Sequence, residues 1–217
     1  MRKSGTGRAR EAARRAVRAE VASAAERLFL ERGYDATTVD AIAEEAGVSP
    51  RSVYRYFPTK DDILIERFAS IGGELADALR SRPANEPVWD SLAAAFAALT
   101  ARVGTPRSSE PALLMHRAIV SSPTLFGRYL QQMQLAQSDA LDALTDRAVR
   151  AARTPQTHSS NDDIALRAII AAAFGCLVTA QCAWVRTDGT EPFTTTLGNA
   201  MAAMRPTREG DRLDVRH

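Results

Sequence analysis

Between residues 37 and 62 the chain is punctuated so closely that only short helices fit. Thr37 and Thr38 can cap a helix whose apolar residues are Val39, Ile42, Ala43 and Ala46, and Gly47 breaks it about two turns later. Ser49 is the next cap, and Pro50 follows at the first helical position, where its missing N–H costs nothing. A third helix then carries Val53 and Phe57 inward until Pro58 stops it, and Thr59 opens a fourth with Asp62 three residues on as a shortened capping box. Two short helices joined by a tight glycine turn form the helix-turn-helix arrangement, which offers its second helix to a DNA major groove. The apolar residues of this unit are used up inward, leaving Arg51, Ser52, Tyr54, Arg55 and Tyr56 outside. Guanidinium groups read guanine edges, while hydroxyls and cations hold phosphates.

The rest of the chain reads as helix as well. Val17, Val21, Ala24, Ala25 and Leu28 recur at three-to-four spacing ahead of Gly33, predicting a first helix from about 10 to 32. Leu64, Phe68, Ile71, Leu75 and Leu79 form the stripe of the fourth, which ends before Pro83–Pro87. Trp89, Leu92, Phe96, Leu99 and Val103 mark a fifth, followed by a loop over Gly104–Ser109. A sixth spans Glu110–Val120, and a seventh opens at Ser122-Pro123 and runs to about Val149. After a polar loop over Arg153–Ser160, Asn161 caps an eighth to about Arg186; Phe193, Leu197, Met201 and Met204 mark a ninth. Alanine is abundant and aromatics make up only 6% of the 217 residues, which favours helix over strand. The expectation is an all-α fold of about nine helices. Its predicted divisions are a flexible basic arm (1–9), a helix-turn-helix domain (10–58), a larger helical domain (59–205) and a charged, frayed tail (206–217).

Residues 28–64, LFLERGYDATTVDAIAEEAGVSPRSVYRYFPTKDDIL, closely resemble the DNA-binding head of the TetR family of transcriptional regulators. The glycine-tyrosine after helix one, the double threonine, the GVS turn, the tyrosine and phenylalanine of helix three and the lysine opening helix four all stand at the family's spacing. About a quarter of the chain carries this strong motif; the later helices agree in number and order only. The resemblance implies that Thr38 contacts phosphate, that Pro50, Arg51 and Ser52 form a base-reading edge, and that Tyr54, Tyr56 and Lys60 clamp the backbone. Residue chemistry supports Arg51, Tyr54 and Lys60 independently, since Lys60 lies at a helix N-terminus where dipole and ammonium both favour an anion. Asp61 and Asp62 beside it weaken the local field.

Net charge alone, +2, reveals none of this. The basic residues concentrate at the N-terminus, where Arg2, Lys3, Arg8 and Arg10 are candidates for an adjacent minor groove. Other chemistries have no constellation: HExxH, CxxC and GxSxG are absent, three histidines have no acid at ligand spacing, and Gly5-x-Gly7 lacks a third glycine. No enzyme activity, cofactor or metal is expected. Cys176 and Cys182 fall about 240° apart on one helix and cannot pair, which with the absence of a signal peptide points to the cytoplasm. The longest apolar run, Ala168–Val178, is short for a bilayer span, so no membrane partner is expected.

The resemblance further implies a dimeric, ligand-responsive repressor released from a near-palindromic operator by a small hydrophobic or amphipathic effector. Helix eight is apolar around most of its circumference, so its Phe174, Leu177, Val178 and Trp184, with Leu197 and Met201 of helix nine, are expected at the dimer interface. The effector site is expected between helices four to eight, among Trp89, Phe96, His116, Phe126, Tyr129 and Met133. Two alternatives remain open at this point: a constitutive DNA-binding regulator without effector, and a helical small-molecule-binding protein with a non-functional head.

Overall fold

The computed structural model describes residues 5–101, 109–151 and 160–205, and every regular element among them is an α-helix. In chain order these are α1 (Gly5–Arg32), α2 (Val39–Glu45), α3 (Pro50–Tyr56), α4 (Lys60–Ser81), α5 (Val88–Thr100), α6 (Ser109–Ser121), α7 (Pro123–Ala151), α8 (Ser160–Arg186) and α9 (Phe193–Ala203). The all-helical expectation therefore holds. Helix α1 begins at Gly5 rather than near residue 10, so the arm expected to be flexible through residue 9 is helical from Gly5 on. Arg2, Lys3, Val103, the interiors of the two expected loops and the tail after Pro206 lie outside the described residues.

Local chemistry sets the ends of the short helices. Thr38 caps α2 by accepting from the Ala41 N–H at 3.1 Å, and Ser49 caps α3 by accepting from the Ser52 N–H at 3.2 Å. Thr59 and Asp62 complete a reciprocal capping box at the start of α4. Between α2 and α3 the backbone closes a Schellman turn: Val48 N–H donates to the Ala43 carbonyl at 2.9 Å, and Gly47 N–H to Glu44 at 3.1 Å. Gly47 sits at φ +65°, a left-handed conformation that a side chain would strain. Thr37 differs from the sequence reading. It does not cap α2; its buried hydroxyl turns back to the Gly33 carbonyl at 2.8 Å and so closes the end of α1.

One continuous core runs from Val21 of α1 through α4 to Met201 of α9. Helix α4 is its centre, packing on α1, α5 and most extensively on α7. The closest approach is at Gly72: a Cβ there would lie 3.2 Å from the Ala136 Cβ, 3.3 Å from its Cα and 3.1 Å from the Asp139 Oδ2. A Cβ there would be held tighter than ordinary contact, so α7 would have to give by a few tenths of an ångström to admit it. For its neighbour Gly73, an added Cβ meets nothing within 4 Å, and the residue is exposed.

Helix α8 departs from the expectation drawn from uninterrupted apolar runs. Its stretch Asp162–Arg186 has the length and apolarity to cross a membrane, although the longest unbroken run is far shorter. The helix packs against α5, α6, α7 and α9, with Ile170, Ala173, Phe174, Leu177 and Trp184 buried, and the core helix of a folded domain passes the same test of length and composition.

The glycine pair gives a paired expectation. Gly72→Val should lower the unfolding free energy by roughly 1–3 kcal/mol through overpacking against α7. Gly73→Ala should raise it by about 0.5–1 kcal/mol by removing backbone freedom at an open site. Urea unfolding of the two variants checks this; a neutral Gly72→Val would show that the α4–α7 packing yields readily.

Candidate functional site

The exposed face of α3 is the first functional surface. Val53 and Phe57, 0% and 1% exposed, fasten the helix to the core, while Arg51, Tyr54 and Arg55 stand in solvent and Ser52 and Tyr56 are partly exposed. Pro50 opens the helix at the same exposed edge. Tyr54, at 52% exposure, is a large aromatic that the protomer leaves uncovered. Ser52 Oγ lies 2.9 Å from Ser49 Oγ, and the Thr38 hydroxyl, while accepting from Ala41, retains its own proton to donate. Arg55 turns along the helix: its guanidinium lies 4.8 Å over the Tyr56 ring and donates to the Tyr56 hydroxyl at 3.0 Å. These two residues line a shallow groove with Ala13, Arg14 and Val17 of α1, so the basic face of α1 continues onto α3.

Lys60 is placed differently from the sequence reading. Its Nζ donates to the backbone carbonyls of Tyr34 at 2.9 Å and Thr37 at 3.1 Å and sits 4.1 Å over the Tyr34 ring. The ammonium that the resemblance makes a phosphate clamp instead ties the α1–α2 connection to the first turn of α4. These two carbonyls belong to the connection that follows α1, and the Tyr34 carbonyl also accepts from the Thr37 N–H at 3.2 Å. The Tyr34 hydroxyl bonds the neighbouring Asp61, and burial, followed by that carboxylate, pushes the phenol well above its ordinary range.

A second feature lies in the body of the protein: a cavity of about 250 Å³ reached by α1 and α4–α9. Phe68, Ile71 and Leu75 come from α4, Phe96 from α5, Met115 and His116 from α6, and Tyr129 and Met133 from α7. Four of the six residues expected at an effector site, Phe96, His116, Tyr129 and Met133, therefore converge. Two do not. Trp89 lies in a separate groove between α5 and α9, and Phe126 stacks behind Tyr129 at 6.3 Å without reaching the cavity. The polar groups of the wall are Glu26, Thr100, His116, Tyr129 and Gln181. The Tyr129 hydroxyl bonds Gln181, and His116 Nδ1 bonds the Ala112 carbonyl at 2.7 Å. Burial pushes the imidazole pKa below its ordinary value and keeps the ring neutral.

The family model described as bacterial regulatory proteins, tetR family, matches residues 21–66, the segment from the core of α1 to the first turns of α4. Residues 21–66 are thus similar to the N-terminal region of the tetR family. Among curated relatives, the HTH-type transcriptional regulator TcmR of Streptomyces glaucescens is 34% identical over 111 residues, 49% of each chain, so the match spans about half of that relative's length. Among solved structures, Thermus thermophilus FadR, a TetR-family transcriptional repressor in complex with lauroyl-CoA, superposes with a TM-score of 0.59 at 18% identity, covering 90% of this chain and 98% of that one. Bacillus subtilis FadR in complex with stearoyl-CoA gives a TM-score of 0.50 at 20% identity, covering 84% and 95%. These likenesses establish the fold.

Within this TetR-family fold the residues expected at a dimer interface mostly serve the protomer itself. Phe174 packs edge-to-face on Phe96 at 5.2 Å and, with Leu177, lines the cavity. Trp184, 1% exposed, donates Nε1–H to the Glu191 carbonyl at 2.9 Å and packs on His116 and Phe193. Leu197 and Met201 are buried beside Trp89, and only Val178 is partly exposed. Helices α5, α6, α7 and α9 cover what an isolated α8 would expose. Sequence reasoning also missed Arg18, whose guanidinium bonds Glu66 of α4, donates to the Tyr56 carbonyl at 3.3 Å and lies 4.7 Å over the Phe57 ring. It locks the end of α3 between α1 and α4. The only signal was one more arginine in a basic run.

Lys60→Met separates the two roles of that lysine. Without its bonds to the two carbonyls, unfolding free energy should fall by about 1–3 kcal/mol, measured by urea titration. Unchanged stability combined with weakened DNA binding would return Lys60 to the phosphate role.

Proposed function

We propose that the chain is a ligand-responsive DNA-binding regulator, a repressor that binds a near-palindromic operator as a dimer and is released by a small hydrophobic or amphipathic effector. One observation carries the reading: the helices that hold the recognition surface also wall the cavity. Glu26 and Leu30 of α1 and Phe68, Ile71 and Leu75 of α4 contribute to its lining. A ligand that favours one spacing of the two heads by 1–3 kcal/mol, a typical allosteric magnitude, would shift operator affinity about 5- to 150-fold. The acyl-CoA ligands of the two FadR structures support an apolar effector, and the head (10–58) and body (59–205) are the working division of the chain. Its place of action is the cytoplasm.

On DNA, Pro50, Arg51 and Ser52 form the base-reading edge, and Thr38, Tyr54, Arg55 and Tyr56 contact the backbone. Arg14, exposed and without an ion-pair partner among the described residues, extends the phosphate contacts along α1. Arg51→Ala should cost roughly 1–3 kcal/mol on the selected operator and relax preference at one base pair. Arg14→Ala should weaken specific and random DNA alike and reduce the salt slope by about one. Binding titrations on operator and scrambled DNA at several salt concentrations check both; equal loss on the two DNAs for Arg51→Ala would remove the base-reading assignment.

The dimer is best supported at the exposed small-residue face of α8 and α9: Ala168, Ala171, Gly175 and Thr179 on one helix, Thr195, Gly198, Asn199 and Ala202 on the other. Such faces let backbones approach closely in a two-fold bundle. Added Cβ atoms at Gly175 and Gly198 meet nothing within 4 Å in the protomer, so substitution there spares the fold. Gly175→Arg should give a folded monomer with weak operator affinity, read by sedimentation and circular dichroism. A stable dimer would refute this face.

A further inference from the structure

The cavity wall has a definite hydrogen-bonding polarity. The Ala112 carbonyl can only accept, so His116 Nδ1 carries the proton and Nε2 presents a lone pair. His116 is 7% exposed and lines the cavity, yet Nε2 makes no hydrogen bond among the described residues. Among those residues no buried side-chain nitrogen or oxygen is left unpaired, so that atom opens onto the cavity space. Beside it, the Tyr129 hydroxyl proton is committed to the Gln181 carbonyl oxygen, which leaves the Gln181 amide N–H groups as donors. Beside the Glu26 carboxylate and the Thr100 hydroxyl, whose proton goes to the Phe96 carbonyl, the wall therefore offers His116 Nε2 as a neutral acceptor and the Gln181 amide as a donor.

Charge narrows the choice. No lysine or arginine lines the cavity among the described residues, and its one ionisable acid is Glu26. A carboxylate placed here would meet the His116 lone pair with no lysine or arginine among the described lining residues to offset its desolvation, which is costly. A hydroxyl both donates and accepts and so answers both groups. Phe68 and Tyr129, at 4.9 Å and 78°, and Phe96 and Phe174, at 5.2 Å and 83°, surround the space with edge-to-face rings, a geometry that receives another flat ring. At about 250 Å³ the cavity holds roughly eight waters at about 30 Å³ each, enough for a compact ring system.

We propose that the cavity takes a neutral, ring-bearing hydroxyl compound of the phenol type, its O–H donating to His116 Nε2 and its oxygen accepting from Gln181. This rests on reading the cavity as an effector site, but it concerns binding preference and holds whether or not binding releases DNA. The test is isothermal titration of the full chain at neutral pH with four probes: 2-naphthol, naphthalene, 2-naphthoate and 1-octanol. 2-Naphthol should bind up to about tenfold more tightly than naphthalene, the worth of a neutral hydrogen bond. It should also bind more tightly than the ring-free octanol, with 2-naphthoate weakest. In His116→Phe the advantage of naphthol over naphthalene should vanish while naphthalene still binds; the order of the probes on the unaltered chain decides the matter if that variant does not fold. Naphthoate or octanol binding as tightly as naphthol, naphthalene matching naphthol, or no binding by any probe overturns the proposal. Operator release, measured separately, reports on the effector reading alone.

Discussion

The packing of α4 on α7 is the constraint on which the other parts depend. Glycine costs an α-helix about 1 kcal/mol relative to alanine, and Gly72 stands where a Cβ would press on Ala136 at 3.2–3.3 Å, tighter than ordinary contact. The two helices meet close to backbone distance, which fixes the axis of α4 in the body. The first turns of α4 are fixed to the head by Lys60 to the Tyr34 and Thr37 carbonyls and by Glu66 to Arg18, and to the body by Asp62 to Arg128 of α7. Helix α4 is thus held at its middle and over its first turns, so the packing of the middle and the direction of the first turn are tied to one another.

The same clamps make a modestly charged head suitable for DNA. Arg18, Lys60 and Arg27 are held by Glu66, by the two carbonyls and by Glu45, so these cations serve the fold. Of those left in solvent, Arg14, Arg51 and Arg55 lie on α1 and α3, on the side where α3 is exposed, while Arg15 and Arg32 are exposed elsewhere along α1. A nearly balanced count of charges therefore conceals a sorted arrangement, in which acids neutralise structural cations while Arg14, Arg51 and Arg55 share a surface.

Where the signal is local, the sequence is legible. Thr38, Ser49 and Thr59 cap the helices that their positions predict, because a cap depends on side chains within three residues. Val53 and Phe57 are buried and Arg51 and Tyr54 exposed, as helical periodicity requires. What covers an apolar helix is not local. The composition of α8 demands a cover but is the same whether the cover is the protomer's own α5 and α9 or a second copy, so a reading of composition turns Phe174, Trp184 and Leu197 outward when they face inward. Lys60 shows the same limit in electrostatics: a cation beside a helix N-terminus reads as an anion site until the folded chain brings the carbonyls of Tyr34 and Thr37 to it. Trp89 and Phe126 carry the right chemistry on the wrong faces, Trp89 turned toward α9 and Phe126 behind Tyr129.

Because the cavity draws on α1 as well as α4, the proposed effector would reach the head through two levers. Leu30 lies two residues before the end of α1, and directly beyond that end Gly33 and Tyr34 begin the connection that Lys60 grips. On α4, Phe68 lies about two turns from Lys60 and touches Tyr129 of the cavity wall. Both side chains lead to the same junction, the place where the α1–α2 connection and α4 are joined by one ammonium group. A ligand with equal affinity for both positions of that junction changes nothing, however tightly it binds. If the proposed function holds, control over the head would rest on a difference in packing around Leu30 and Phe68, and close packing on both helices would leave few intermediate arrangements.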